Sequence, residues 1–455
     1  MAPLPKPGTA DLLFPPVVSP AVAQLLALQW QLERTQYLPP EEMRARQFVQ
    51  IGALVSHIDR AVPFYGVSLR RAGLKPGVPI TPDAWARVPV LTRRAVQDAG
   101  EALRARDVPG HHGRIVTAGT TGSTGTPLSV FKTELAQIYW QAFTLRQILW
   151  RGYDLRGSFA AIRHDAERAA GDPPARRLPE WGVPTNAVFG TGPGLLCDVR
   201  APVAEQAAWL AAEAPDILLS FPSVLGALAR HCLAEGLAVG SLRGLISSGE
   251  YLSEETRDAC RAAFGLEVAD IYSTVEAGYL SFQCEAGRHH VQAESALLEI
   301  LDEAGAPCAQ GAVGRGVVTP LHNFAMPLIR YDIGDHAAFG PPCPCGRTLP
   351  VLGCIAGRAR DMLVLPDGGR RFAEYGNAAL HRIRAVLQHQ VVQVAADMVE
   401  IRLVLRRALT AEEERQVLDG ARAGLGPGFT VRLAVVDAIA RAPGGKFAEF
   451  RCEVG

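Results

Sequence analysis

The chain has 455 residues, and 46 Lys and Arg balance 46 Asp and Glu, so the formal net charge is zero. This length allows two or three domains with full hydrophobic cores. The charge balance argues against a general binder of nucleic acid or anionic membranes, because no basic excess is available to neutralise phosphates.

The cellular setting is predicted from the start of the chain and from its cysteines. The Pro-rich first residues lack the continuous apolar stretch of a secretory signal, and no apolar run is long enough to span a bilayer. The nine cysteines are scattered and odd in number, which is typical of reduced thiols. We therefore expect a cytoplasmic protein.

The predicted elements begin with a region, 21–102, whose apolar residues have mostly helical spacing. Between 113 and 319, short apolar runs bounded by Gly and Pro alternate with helical segments. Four of these runs are predicted to be buried strands, at 113–118, 214–220, 245–248 and 268–272. This alternation predicts a mainly parallel sheet with helices packed on it.

The last hundred residues have a different pattern. It predicts a helix over 380–388, strands over 390–395 and 399–405, an amphipathic helix over 411–425 and a strand over 429–436. We expect an α/β fold with a large N-terminal domain, 1–357, and a small mobile α+β cap domain, 358–455.

The strongest local motif is the segment 120–127 (TTGSTGTP), which follows a predicted strand. Glycines let backbone N–H groups turn inward, and the hydroxyls add donors suited to phosphate oxygens. No Gly-Lys-Ser/Thr follows, so it is not a Walker loop. Composition alone leaves an ordinary Ser/Thr/Gly turn equally open.

Five further motifs follow along the chain, at 247–250 (SSGE), 270–276 (DIYSTVE), 331–335 (YDIGD), 357–361 (GRARD) and 441–446 (RAPGGK). In this order the motifs resemble those of the adenylate-forming superfamily, which includes acyl-CoA synthetases, peptide-synthetase adenylation domains and luciferases. The segments 62–65 (VPFY), 89–93 (PVLTR), 220–223 (SFPS) and 342–348 (PCPCGRT) resemble the phenylacetate–CoA ligase-like branch. The resemblance covers nearly the whole chain beyond the first twenty residues.

This resemblance implies an enzyme that activates a carboxylic acid of aromatic or arylacetic type with ATP and Mg²⁺. Pyrophosphate would leave, and the acyl-adenylate formed would pass its acyl group to an acceptor such as CoA. Positioning and charge neutralisation supply most of the catalysis in such transfers.

The resemblance also implies roles for single residues. Lys446 would stabilise charge between the carboxylate and the α-phosphate, Glu276 would bind Mg²⁺, and Thr124 would hold phosphate oxygens. Tyr272 would stack on adenine, and Asp335 would accept hydrogen bonds from the ribose. The other implied nucleotide-binding residues are Thr120, Thr121, Gly122, Ser123, Ser248, Gly249, Glu250, Asp270, Ile271, Ser273 and Arg358.

The sequence departs from the superfamily pattern in ways that bear on the acceptor. Arg360 stands at the hinge, where the family usually has Asp, and 365–372 lacks the run that the family places near the pantetheine tunnel. Adenylation is therefore better supported than thioester formation, and the acceptor could be CoA, an amine or a carrier-protein thiol. A non-catalytic nucleotide-binding scaffold is the alternative from another class.

Four residues suggest a structural zinc site. Cys343 and Cys345 lie in a Pro/Gly turn, and Cys284 lies six residues before His290. Together they could form a closed Cys₃His site, although the neighbouring His289 leaves the histidine ligand ambiguous. Ordinary reduced cysteines in a loop are the alternative.

Overall fold

The structure is a computed structural model that describes residues 4–9, 11–119, 128–169, 171–358, 362–372, 375, 380, 382–442 and 444–454. No helix within these ranges is both long enough and apolar enough to cross a bilayer.

The α-helices of the described residues are α1 (Pro20–Thr35), α2 (Pro40–Ala61), α3 (Gly66–Ala72), α4 (Pro82–Ala86), α5 (Arg93–Ala99), α6 (Glu134–Arg151), α7 (Thr185–Val188), α8 (Val203–Glu213), α9 (Pro222–Glu235), α10 (Glu254–Phe264) and α11 (Ala411–Leu425). Short 3₁₀-helices cover Pro63–Tyr65, Gly100–Leu103 and Gly110–His112.

The β-strands of the same residues are β1 (Ile115–Gly119), β2 (Ser129–Thr133), β3 (Phe159–Arg163), β4 (Ala175–Leu178), β5 (Gly194–Asp198), β6 (Ile217–Ser220), β7 (Gly244–Ser248), β8 (Val268–Thr274), β9 (Gly278–Gln283), β10 (His289–Val291), β11 (Ala296–Leu301), β12 (Gly314–Pro320), β13 (Tyr331–Phe339), β14 (Val351–Arg358), β15 (Met362–Val364), β16 (Arg370–Phe372), β17 (Val386–Ala395), β18 (Met398–Leu405), β19 (Thr430–Val435) and β20 (Phe450–Cys452).

These elements form two compact units. Unit 1 comprises Met1–Ser158, Leu178–Gly194 and Ala269–Ile355, and unit 2 comprises Phe159–Arg177, Leu195–Val268 and Ala356–Gly455. The fold is α/β, as expected. The division at residue 357 stays a prediction.

Unit 1 contains a mixed sheet with the strand order β11-β12-β13-β14-β10-β9-β8. The pairs β8–β9, β9–β10, β10–β14, β11–β12 and β12–β13 are antiparallel. Strands β1 and β2 form a separate antiparallel pair. The prediction of a mainly parallel sheet is therefore wrong for this unit, because buried apolar runs look alike whichever way their neighbours run.

Unit 2 contains the strand order β7-β6-β3-β5-β4, in which β3–β6 and β6–β7 are parallel, as expected. A second sheet of this unit has the order β19-β18-β17-β20 and shares an apolar core with α11. Helix α11 begins at a reciprocal capping box between Thr410 and Glu413, which stabilises its first turn. The predicted helix over 380–388 is wrong at its end, because Val386 and Gln388 pair with β18.

Candidate active site

Tyr272 and Asp335, which were predicted to hold the adenosine, are in direct contact in unit 1. The hydroxyl of Tyr272, near the end of β8, donates to Oδ2 of Asp335 in β13 over 2.6 Å. Asp335 is 7% exposed. It follows Gly334, whose φ of 75° and N–H bond to Asp332 make a local turn within β13. The Asp335 carboxylate is therefore held by a second side chain of the predicted site.

Glu276, the predicted Mg²⁺ ligand, is paired with an arginine that was not predicted as a site residue. Nη1 of Arg93, the first residue of α5, donates to Oε1 of Glu276 over 3.0 Å. Lys132 of β2 donates to the carbonyl of Val275 over 2.6 Å. Burial lowers the pKa of Lys132, and the Glu276 carboxylate opposes that shift. The signal that could have found Arg93 was its place at the end of the 89–93 motif.

The other predicted residues of β8 each have different neighbours. The carboxylate of Asp270 lies 3.5 Å from Nε2 of His289. Ile271 is buried, and Ser273 is half-buried and pairs with Tyr279 of β9. Their nucleotide contacts stay predictions.

Lys446 lies over the end of β7 in unit 2. Ser248 ends this strand, and the next residue, Gly249, has a φ of 87°. A Cβ at position 249 would lie 3.2 Å from Cε of Lys446 and 3.5 Å from its Nζ. The glycine therefore accommodates both the backbone turn and the passing lysine side chain.

Glu250 contacts protein groups with both of its carboxylate oxygens. Oε2 accepts from the amide of Ser223 over 3.0 Å, and Oε1 accepts from the amide of Phe447 over 2.6 Å. Nη1 of Arg441 lies 4.0 Å from Oε1. Burial raises the pKa of Glu250, and the two amides and Arg441 oppose this shift. Sequence reasoning had assigned Glu250 to the nucleotide pocket and had not predicted its contact with the residue after Lys446.

Several predicted residues lie outside the described part of the chain. They are Thr120, Thr121, Gly122, Ser123, Thr124 and Arg360, together with the side chain of Arg358. Gly119 and Ser129, which flank the 120–127 segment, are paired across the antiparallel strands β1 and β2. The segment therefore connects two adjacent strands.

Cys284, His290, Cys343 and Cys345 come together in unit 1, with ligand atoms that all lie within 4.8 Å of one another. Sγ of Cys284 lies 3.5 Å from Sγ of Cys343, and Sγ of Cys345 lies 3.2 Å from Nε2 of His290. Two thiolates bound to a tetrahedral zinc at about 2.3 Å would be about 3.8 Å apart, so the spacing fits. Nδ1 of His290 lies 3.4 Å from the carbonyl of Leu349, an arrangement that directs Nε2 towards the sulfurs.

Comparison with known proteins gives a curated relative and many structural neighbours. Phenylacetate-coenzyme A ligase of Thermus thermophilus is 26% identical over 409 residues, which cover 84% of this chain and 85% of the relative. A 2-hydroxyisobutyryl-CoA ligase in its postadenylation state matches with a TM-score of 0.70 and 21% identity, covering 93% of this chain and 92% of that one. The anthranilate CoA ligase AuaEII matches with a TM-score of 0.52 and 16% identity over 74% of this chain and 66% of that one. No family model matches the sequence.

The structural neighbours show that this chain has the fold of CoA ligases that form acyl-adenylates, which is the fold that the resemblance implied. In sequence the chain is similar to phenylacetate-coenzyme A ligase, and the match spans most of both chains.

Proposed function

We propose that this enzyme uses ATP to convert a carboxylic acid of aromatic or arylacetic type into an acyl-adenylate, and then transfers the acyl group to CoA. The observation that carries the proposal is the position of Lys446 over Gly249, within the segment predicted to line the adenine pocket. The phenylacetate-coenzyme A ligase relative supports the class of acid. The CoA ligases among the structural neighbours support the acceptor.

In the proposed reaction, a carboxylate oxygen attacks the α-phosphorus of ATP and pyrophosphate leaves. Lys446 supplies a positive charge where negative charge develops between the two reactants. Asp335, held by Tyr272, accepts hydrogen bonds from the ribose and so fixes the nucleotide.

Mg²⁺ is proposed to bind at Glu276, because a carboxylate oxygen is a donor that this ion prefers. The bound ion would neutralise phosphate charge. Arg93 already contacts one of the two carboxylate oxygens, so it places a second positive charge at the same position.

ATP–pyrophosphate exchange across a panel of carboxylic acids tests the proposal. With the best acid, Lys446→Ala should reduce exchange by about two to three decades, because one contact made mainly in the transition state is worth about 3–4 kcal/mol. ATP affinity should stay within a few-fold. The exposed Lys75→Ala is the matched control. An unchanged rate of ATP–pyrophosphate exchange in Lys446→Ala would refute the role assigned to this lysine.

An amine or a carrier-protein thiol as acceptor is the second candidate. It is favoured by Arg360 and by the missing pantetheine-side run after residue 365. Supplying the best acid with ATP and CoA, and following AMP and acyl-CoA by mass spectrometry, separates the candidates. Acyl-CoA formed as fast as the adenylate supports CoA, and AMP release without thioester supports the alternative.

Zinc is proposed to bind Cys284, His290, Cys343 and Cys345 as a structural ion. Four protein ligands close the coordination sphere, so the ion would stabilise the fold and would not contact substrate. Metal analysis of protein purified without chelator should give one zinc per chain. Cys345→Ser should lose the zinc and lower the melting temperature, whereas Cys354→Ser, at an exposed cysteine, should change neither. A metal content near zero in the unmodified protein would refute the site.

The hinge at Arg360 between 1–357 and 358–455, and the cytoplasmic location, stay predictions.

A further inference from the structure

The loop that carries Lys446 is a tight turn beside a cavity. The amide of Ala442 donates to the carbonyl of Lys446, and the amide of Gly445 donates to the carbonyl of Ala442, both over 2.8 Å. Arg441, Gly445 and Phe447 line a cavity of about 660 Å³ in unit 2. Packing on the cavity side of the loop is therefore incomplete. The position of the loop depends correspondingly more on its polar contacts.

Glu250 makes a polar contact with this loop from outside it. Its carboxylate bridges the amide of Phe447 and the amide of Ser223, and its side chain is 7% exposed. Ser223 lies in the first turn of α9, whose N-cap residue, Phe221, has no side chain able to cap the helix. A carboxylate at this helix N-terminus satisfies an unpaired amide and interacts favourably with the helix dipole. Glu250 thus connects the loop to the N-terminus of α9.

Arg441 completes the same network from within the loop. Its Nη1 donates to the hydroxyl of Ser223 over 2.9 Å and to the carbonyl of Gly445 over 3.1 Å. The guanidinium also provides the nearby positive charge that a buried carboxylate needs.

The order of residues connects this network to the lysine. Phe447 directly follows Lys446, and Glu250 directly follows Gly249, over which the lysine passes. A shift of the Phe447 amide would therefore move Lys446 relative to Gly249, the residue next to Glu250.

We propose that Glu250 is a positioning residue, which fixes the loop 441–447 so that Lys446 lies over Gly249, and that it is not a nucleotide ligand. The proposal rests on the proposed function for the role of Lys446. The contact between Glu250 and Phe447 is a feature of the structure and does not depend on the proposed function.

Glu250→Gln tests the proposal, because the amide keeps the shape of the side chain and removes its charge. The catalytic rate of ATP–pyrophosphate exchange should fall by about 10- to 100-fold, the size expected for a misplacement of about 1 Å, while the KM for ATP stays within about threefold. The Phe447 amide should exchange its hydrogen about tenfold faster, since its acceptor loses the negative charge that strengthens the hydrogen bond. Glu254→Gln, at an exposed residue of α10, should change none of these.

Arg441→Gln provides a second variant if Glu250→Gln does not fold. It removes the donors to Ser223 and Gly445 and should give the same pattern, with a smaller loss of rate. The proposal is overturned if Glu250→Gln raises the KM for ATP at an unchanged rate, or if hydrogen exchange at Phe447 is unaltered. If no acid supports exchange in the unmodified enzyme, the proposed function fails, and hydrogen exchange still decides whether Glu250 holds the loop.

Discussion

Arg330 connects three parts of unit 1, and we expect Arg330→Met to lower the free energy of unfolding by about 3–5 kcal/mol. The side chain is 3% exposed. Its Nε and Nη2 donate to the two carboxylate oxygens of Glu299 over 3.2 and 3.1 Å. Its Nη1 donates to the carbonyls of Ala86 and Val88 over 2.7 and 2.5 Å.

The magnitude follows from what the substitution leaves behind. Methionine replaces the aliphatic part of Arg330 and none of its donors. The Glu299 carboxylate, 11% exposed, then keeps the Trp85 indole N–H as its remaining donor among the described contacts. Removing one partner of a buried ion pair costs about 3–5 kcal/mol, whereas removing both partners together costs far less. The double variant Arg330→Met/Glu299→Leu should therefore recover most of the loss.

Urea titration followed by tryptophan fluorescence measures this, since Trp85 contacts Glu299 directly. Arg94→Met, at an exposed residue of α5, is the control and should change the unfolding free energy by less than about 0.5 kcal/mol. A loss below about 1 kcal/mol in Arg330→Met, or a double variant equal to the sum of the single ones, would refute the reasoning.

Two further outcomes concern the nucleotide and pH. Asp335→Asn should weaken ATP binding by about 10- to 100-fold in calorimetry, because hydrogen bonds to a charged acceptor are worth about 1.5–3 kcal/mol; unchanged affinity, relative to an Asp397→Asn control, would contradict the ribose contact. Burial raises the pKa of Glu449 from 4.5 to about 7, with Arg230 opposing the shift. The folded state then holds a proton that the unfolded state has released, so stability should fall by up to about 3 kcal/mol between pH 4.5 and 7. Glu449→Gln should flatten this slope in urea titrations at pH 5 and 8, and an equal slope in both proteins would contradict the assignment.

Local patterns predicted those elements whose signals lie within a few residues. Helix α11 was predicted with its observed bounds, because the amphipathic pattern that indicates it is contained in the segment itself. Val386–Gln388 was assigned to a helix, because its place in β17 is set by pairing with β18. Strand direction in unit 1 was predicted wrongly for the same reason: it depends on partners distant in the chain.

The same difference between local signals and contacts with distant residues applies to the candidate site. The resemblance of short motifs selected Tyr272 and Asp335, which are in contact in the structure, and spacing selected the four residues of the Cys/His cluster, whose ligand atoms lie close together. The roles of these residues stay predictions. The partners of Arg93 and Glu250 are 183 and 197 residues away, and the adjacent sequence does not indicate which residue either one contacts.

The same long separations determine the order in which the protein can be completed during synthesis. Val88 and Ala86 accept from a side chain that lies 242 and 244 residues further along the chain. At about 5–20 residues per second, Arg330 emerges roughly 12–50 s after its partners. Until then Trp85 and Leu103, which are buried in the finished core, lack the strands that cover them. The stretches 159–177 and 195–268, made in that interval, belong to the other unit. A nascent chain therefore carries an uncovered helical surface for about half of its synthesis, so chaperones that hold unfolded chains should raise the yield of folded protein.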